Sequence, residues 1–433
     1  MGHQKLRDFS YTHRRLRLPL LICGFAFALI FALPSPAALA APLCAQPGTW
    51  FSPQTGKRLD TPSLMAGMAR RDVVLLGETH DNPDHHLWQL QVLSALHARN
   101  PNMVLAFEAF PRASQPALDK WIQGSIGEQE FLDQSRWFDV WRFDPALYMP
   151  LFRFARQNRI PMIAMNVERS LIGRIGREGF DAVPEDAREG VGKPAPPSTA
   201  YLRYLAAVFG GHSAAGAETE TDEAADKINA TLDDPAFQRF AEAQTTWDRA
   251  MAERLAEVRL GGGTPLVVGI VGRGHLDYGY GISHQLKALG IKSPAVLTPW
   301  DANRPCAETK NADGTGVADA AFALMTPAKS IAPEKPKLGV MIRTLEDGGG
   351  VAIDNVGADS VAAETGLEAG DVIIAAAGQN VASTRALVAI IQAQAPGSWL
   401  PLTIRRSGAI REMVAKFPPP HTDAGTGTPT RAQ

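Results

Sequence analysis

The chain has 433 residues, enough for two or three domains at about 150 residues each, and its composition (45% hydrophobic, 20% charged, 7% aromatic) is that of an ordinary globular protein with a core of its own. Residues 1–40 hold five of the 43 Lys and Arg and one of the 45 Asp and Glu, leaving 38 basic against 44 acidic residues beyond them, a net −6 with histidine neutral. That balance excludes a nucleic-acid-binding surface of the usual basic kind.

The N-terminal segment reads as a secretory signal peptide over residues 1–40. Lys5, Arg7, Arg14, Arg15 and Arg17 precede the apolar run Leu18–Leu33, and Ala38-Leu39-Ala40 supplies a small-x-small cleavage site. The expectation is a periplasmic protein. Cys44 and Cys306 would then meet an oxidising compartment, and a disulfide between them is expected. Lipidation of Cys44, and with it outer-membrane anchoring, is disfavoured because Ala41-Pro42-Leu43 lacks the small residue that such processing wants.

Beyond the signal peptide the pattern alternates strand and helix, which points to an α/β domain, a mainly parallel sheet flanked by helices, over 41–306. Val73–Leu76 is a continuous apolar run closed by Gly77-Glu78-Thr79-His80, and reads as a strand buried on both faces. Asn82-Pro83 then starts a helix as N-cap and first residue. Met103–Phe107, Pro161–Met165, Pro265–Val271 and Ala295–Leu297 read as further strands, and Pro235–Leu260 as one long helix stopped by Gly261-Gly262-Gly263. In a parallel sheet the strand ends Glu78/His80, Glu108 and Gly272–His275 share one edge, where ligands bind in open α/β folds. Glu78, His80, Glu108 and His275 are therefore the candidate catalytic or metal-binding set. They could hold zinc or manganese with one position open for water, or act through a general base without metal. Neither GxSxG nor HExxH occurs, so serine-hydrolase and zincin arrangements lose support.

The stretches Leu76–Asp81 with His85-His86, Phe107–Phe110, Phe240–Ala252, Gly272–His275 and Gly279–Ile282 together resemble the ChaN-type haem-binding uptake family over about 50–300. That family is similar in turn to the erythromycin-esterase and Tiki/TraB groups, where GxxH motifs (here Gly77–His80 and Gly272–His275) are linked to hydrolytic or metal chemistry. The resemblance implies an α/β fold, haem as cofactor, a role in bacterial iron or haem acquisition and a homodimer. A haem site needs an apolar slot, an axial ligand and basic groups for the propionates. Tyr148, beside Trp137, Phe138, Trp141 and Phe143 with Arg142 and Arg153 close by in sequence, is one candidate ligand; His212 and Tyr278, the latter with Tyr280 beside His275, are others.

Past Cys306 the composition turns to Gly, Ala, Asp, Pro and Lys without periodicity, and 307–329 reads as a linker. Residues 330–417 resemble a periplasmic PDZ domain, on Ser360–Ile374 containing Gly366-Leu367-Glu368-Ala369-Gly370-Asp371-Val372-Ile373 and on Gly378–Val381. The resemblance implies a small β-sandwich or barrel with two helices that takes up a C-terminal peptide, or an envelope protein presenting one, at the loop Lys337-Leu338-Gly339-Val340. Residues 418–433 read as a disordered tail.

Overall fold

The computed structural model describes residues 44–210, 222–325, 336–346 and 348–419. The signal-peptide segment, His212 and most of the expected tail lie outside them.

The first domain is built on an eight-stranded sheet of β1 (Trp50–Phe51), β2 (Arg58–Leu59), β3 (Val73–Glu78), β4 (Met103–Pro111), β5 (Met162–Asn166), β6 (Leu266–Gly272), β7 (Pro294–Asp301) and β8 (Ala320–Leu324). Its order is β2-β1-β8-β7-β3-β6-β4-β5, parallel from β8 to β5 and antiparallel where β1 joins β2 and β8. The α/β reading of the sequence holds.

Strand β3 lies between β7 and β6, and the alternation of its side chains explains the unbroken apolar run. Val74 and Leu76 enter a core shared with the helices Pro83–His97 and Pro145–Gln157, while Val73 and Leu75 enter a second core against Pro235–Leu260 and Ile282–Ala288. All six residues of β3 are buried. The helix that follows begins as expected: Asn82 Oδ1 accepts from the amides of Asp84 and His85, with Pro83 as the first helical residue. The register pairs Glu78 with Gly272, and Phe107 of β4 with Ile270 of β6. The ends of β3, β6 and β4 are thereby neighbours.

The linker reading of 307–329 needs correction. Residues 306–309 form a 3-10 turn, Lys310 bridges to Gly316, and β8 lies inside the sheet between β1 and β7. Ala320, Ala321 and Ala323 are fully buried, with Ala321 and Ala323 in one cluster with Phe51 and Trp300. Large neighbours leave room only for small side chains there, and alanine has poor strand propensity in isolation. Strands β1 and β2, two residues each, fall below any readable period.

The second domain, from Pro336, is an antiparallel sheet of β9 (Val340–Thr344), β10 (Val351–Val356), β11 (Val372–Ala376), β12 (Gln379–Asn380), β13 (Trp399–Arg406) and β14 (Ala409–Lys416), with helices Val361–Thr365 and Thr384–Gln392. The order is β14-β13-β11-β10-β9, with β12 on β11. Gly366 (φ 79°) and Gly370 (φ 93°) make the turns that lead into β11 in a backbone region other residues avoid. Asp371 is clamped there by Arg406, at 2.6 Å from Nε and 2.7 Å from Nη2.

A chain ending at residue 325 is expected to keep a cooperative thermal transition without the PDZ domain, whereas one ending at 306 loses β8 and cuts β1 and β2 off from the rest of the sheet. Circular-dichroism melts compare the two; equal transitions would mean that β8 is dispensable to the sheet.

Candidate functional site

The site begins with a carboxylate that the fold has removed from water. Glu78, the last residue of β3, is 2% exposed. Its Oε1 accepts from the Tyr148 hydroxyl at 2.7 Å and lies 2.8 Å from His80 Nδ1. Its Oε2 is 3.1 Å from His86 Nε2, yet out of line for a hydrogen bond, and has none among the described residues. His86 is spent elsewhere: Nε2 faces the His80 carbonyl at 3.0 Å, and Nδ1 faces Gln89 Oε1 at 3.1 Å. It fixes the turn that carries His80.

His80 is thus held through Nδ1, with its ring edge-on to Trp141 (4.6 Å between centroids) and tilted against Phe143 (5.1 Å). Its other face packs on the backbone of Gly272, where a Cβ would fall 2.6 Å from His80 Cε1. Only glycine fits at 272. Burial alone would push the His80 imidazole below its ordinary value, but the Glu78 hydrogen bond and the charges of Glu108 and Glu78 outweigh it and hold it above.

A second dyad stands beside the first. His275, in the 3-10 turn after β6, has Nδ1 2.6 Å from Asp248 Oδ1 and 3.1 Å from Gln244 Nε2. Asp248 comes from the long helix Pro235–Leu260, is fully buried, and accepts from the Tyr201 hydroxyl at 2.6 Å. Burial is the largest influence on His275 and would lower it; the carboxylates of Asp248 and Glu108 override that and raise it. Gly281 closes the packing, since a Cβ there would meet the His275 carbonyl at 2.5 Å and Asp248 Oδ1 at 2.8 Å. Glu108 joins the two dyads: Oε2 accepts from the Gly272 amide at 2.6 Å, and Oε1 is 3.6 Å from His275 Nε2.

The four residues singled out by the strand-end argument do come together. They do so as two carboxylate–imidazole pairs around Gly272, however, and not as a metal nest. Among the described residues no group of three or more His, Cys, Asp and Glu converges as metal ligands. The physical reason is that both carboxylates already accept from donors, and both imidazoles spend Nδ1 on a carboxylate. Asp248 and Tyr201 were not among the expected residues. The readable trace of Asp248 is its place on the buried stripe Ala241, Thr245, Asp248, Ala252, Leu255, where a charged residue has no business unless it is paired.

The expected haem ligands fare differently. Tyr148 is 1% exposed, closed in by Trp137, Trp141, Phe152 and His86, with its hydroxyl given to Glu78. Burial first, then the Glu78 charge and hydrogen bond, raise its pKa far above the phenolic range. As an axial ligand it is ruled out by this packing; it supports Glu78 instead. Tyr278 is half-buried, its amide bound to the Val317 carbonyl and its ring against Tyr204 and Tyr280. His212 falls outside the described residues.

Next to the dyads a cleft of about 500 Å³ opens at the ends of β3, β7 and β8, lined by Thr79, His85, Arg273, Asp301, Arg304 and Met325 among others. His85 Nδ1 accepts from the Thr79 amide at 2.9 Å, and burial pushes its imidazole down to about 4, so it stands neutral there with Nε2 carrying the proton.

Replacing Glu78 by Gln is expected to lower the His80 pKa, because desolvation is then opposed only by Glu108. Imidazole proton NMR reads the shift directly. The sign for stability follows: a raised imidazole contributes fully below about pH 6.5, and the contribution is lost as pH rises through the elevated value. The wild-type protein should therefore lose stability over that rise more steeply than Glu78→Gln. Parallel pH profiles would show that the pair carries no linkage.

The profile of the haem-binding uptake family described as Tiki superfamily, ChaN matches residues 64–286, more than half of the chain, and that of the PDZ domain matches residues 336–416. Among solved structures, one described as cofacial haem binding to ChaN of Campylobacter jejuni is similar at 19% identity over 63% of this chain and 95% of that one, with a TM-score of 0.47. The HtrA-type protease AlgW with a decapeptide is 27% identical over 20% of this chain and 30% of its own, at a TM-score of 0.18. The PDZ domain of HtrA3 bound to a phage-derived ligand is 20% identical over 19% of this chain and 84% of its own, also at 0.18. No curated protein matches. The chain belongs to the ChaN-like haem-binding uptake family and carries a C-terminal PDZ domain.

Proposed function

We propose that this is an exported haem-binding protein of bacterial iron or haem handling, whose PDZ module docks it to a partner peptide in the envelope. The observation that carries the reading is the family match over residues 64–286. Export rests on the N-terminal signal pattern, and a homodimer on the resemblance to the family.

The residues of the crevice suit such a cofactor in one respect. Haem, when bound, would supply an iron that an imidazole nitrogen could hold. His80 meets that need: Glu78 fixes Nδ1, no hydrogen bond from the described residues engages Nε2, and Trp141 and Phe143 give it an aromatic wall. A carboxylate behind a ligating imidazole raises its basicity and sets its ring plane. His275 is less apt, since Glu108 faces its Nε2. Arg273 and Arg304, on the neighbouring cleft, are the basic groups within reach for propionates, although each already has an acidic partner, Asp277 and Glu308. His212 and Tyr278 remain the other candidate ligands.

Hydrolysis is the second reading, and the paired dyads favour it. An imidazole anchored at Nδ1 by a carboxylate presents Nε2 to take a proton from water, and two of them flank Glu108. Zinc or manganese would have to rearrange these pairs to bind.

Haem titration of the purified protein, followed by absorbance beside a metal analysis, separates the two. Haem carriage predicts a saturable Soret shift, weakened about 10–100-fold by His80→Ala as for a lost ligand or its supporting group, with little change in Tyr148→Phe beyond the loss of its hydrogen bond to Glu78. No saturable shift, with ester or peptide turnover abolished by both His80→Ala and His275→Ala, would replace it with the hydrolase.

In the PDZ module β9 is an edge strand, paired on one side only, with the helix Thr384–Gln392 alongside. The turn before it is held by Gly339 (φ 79°), and the carbonyls of Leu338 and Gly339 already accept from the Ala362 and Gly357 amides. What that turn has left to offer a peptide is N–H groups, which suit a terminal carboxylate. Peptides with a free C-terminus and an apolar last residue are expected to bind, and the same peptides amidated to lose most of that affinity in calorimetry. Equal affinities would place recognition elsewhere on the domain.

A further inference from the structure

The segment 136–143 forms a strap beside His80, and its two ends are strained. Arg136 (φ 59°) and Arg142 (φ 70°) both stand in the left-handed region, which residues other than glycine hold at a cost and which recurs at functional and switching segments. Between them runs the four-residue helix Trp137–Val140. The inner side of the strap is packed. Trp137 is buried against Phe110, Tyr148 and Phe152 and donates from Nε1 to the Phe143 carbonyl at 2.9 Å, while Trp141 stands edge-on to His80. On its outer side the second domain makes contact: Arg385 Nη1 donates to the Phe138 carbonyl at 2.6 Å and lies 3.4 Å from Asp139 Oδ1.

We propose that this strap is the docking surface for the chain's own PDZ domain, and that a peptide running the length of β9 releases it and loosens the aromatic wall of His80. The second half rests on the peptide uptake proposed above. Docking suits both sides chemically. A four-residue helix leaves its last carbonyls without partners of its own, and a guanidinium is well matched to such an end, here with the Asp139 carboxylate beside it. The contact is also weak enough to be undone, since the Arg385 and Asp139 side chains are 42% and 65% exposed and exposed ion pairs contribute little.

Release follows from where Arg385 sits. It is the second residue of the helix Thr384–Gln392, which flanks β9. The Thr384 amide donates to Oγ1 of Thr344, the last residue of β9, at 2.9 Å. That bond closes the end of the groove away from the loop Lys337–Val340. A peptide paired along the five residues of β9, with its carboxylate at the loop, reaches this end and parts the two threonines. The start of the helix then shifts, and Arg385 with it. Without Arg385 the strained ends of the strap can relax, and Trp141 and Phe143 are the residues that carry the change to His80.

The test uses the full chain and its single variants. Cys44 and Cys306, expected as a disulfide, are free thiols in the structure, so every sample is kept under reductant. In hydrogen-exchange mass spectrometry, Arg385→Ala should speed exchange of the 136–143 amides about two- to five-fold, the range of an exposed ion pair, and leave 384–392 unchanged. Asp139→Lys, which leaves the PDZ domain untouched, should do the same. Exchange over 136–143 that Arg385→Ala does not alter would overturn the docking, as would wild-type protection lost on dilution, which would assign the contact to a second copy. The octapeptide Gly-Ser-Gly-Ser-Gly-Ser-Leu-Val, at saturation, should reproduce the faster exchange in the wild type and shift the His80 ring signals in NMR. The tripeptide Ser-Leu-Val, too short to reach Thr344, should bind without either effect. In Arg385→Ala, calorimetry should still show the octapeptide bound, with His80 unmoved. A bound octapeptide that is silent at His80 in the wild type, or equally effective in Arg385→Ala, overturns the coupling and leaves peptide uptake standing. No binding of either peptide overturns uptake and coupling together, and the exchange of Arg385→Ala still decides the docking.

Discussion

A carboxylate at the end of a buried strand is the constraint from which the rest of the site follows. Taking Glu78 out of water costs several kcal/mol unless donors replace the lost hydration. Tyr148 and His80 are those donors. Tyr148 must then be buried too, which brings the aromatic group of Trp137, Trp141 and Phe152 over the strand end. His80 must turn its Nδ1 inward, which forces its ring onto residue 272 and leaves glycine as the only residue that fits there. One buried carboxyl group thus sets the identity of residues on three separate elements.

The second dyad repeats the solution with different parts. Asp248 is buried from a helix rather than a strand, and a tyrosine again gives its hydroxyl to the carboxylate while a histidine gives Nδ1. The parallel sheet makes the repetition possible, because the adjacent ends of β3, β6 and β4 deliver Glu78, Glu108 and the turn of His275 to one place. Such a doubly anchored arrangement is stiff. Its imidazoles are presented in fixed orientations, a property equally useful for holding an iron and for moving a proton.

Much of this was legible in the sequence, and for identifiable reasons. The inner strands β3 to β7 announce themselves because a strand buried on both faces must be apolar throughout, and the polar residues that interrupt such runs mark the strand ends. Glu78, His80, Glu108 and His275 were found that way. Tyr148 was noticed for the wrong reason: its nearness in sequence to an aromatic cluster says nothing about where its hydroxyl points, and it points at Glu78. Asp248 and Tyr201 sit inside helices, where pairing is a matter of tertiary contact. The alanine-rich β8 escaped because its smallness answers to the bulk of Trp300 and Phe51, residues far away in the chain.

The placement of β8 has a consequence for how the two domains work together. Because the sheet takes up the chain as far as Leu324, and Met325 lines the cleft, the chain sets out for the PDZ domain from the cleft itself. Residues 326–335 then separate it from Pro336, and ten residues span at most about 35 Å. The span alone thus keeps the PDZ groove within a few nanometres of the crevice. A partner taken up as proposed would therefore stand near the crevice at an effective concentration set by that span rather than by its concentration in solution.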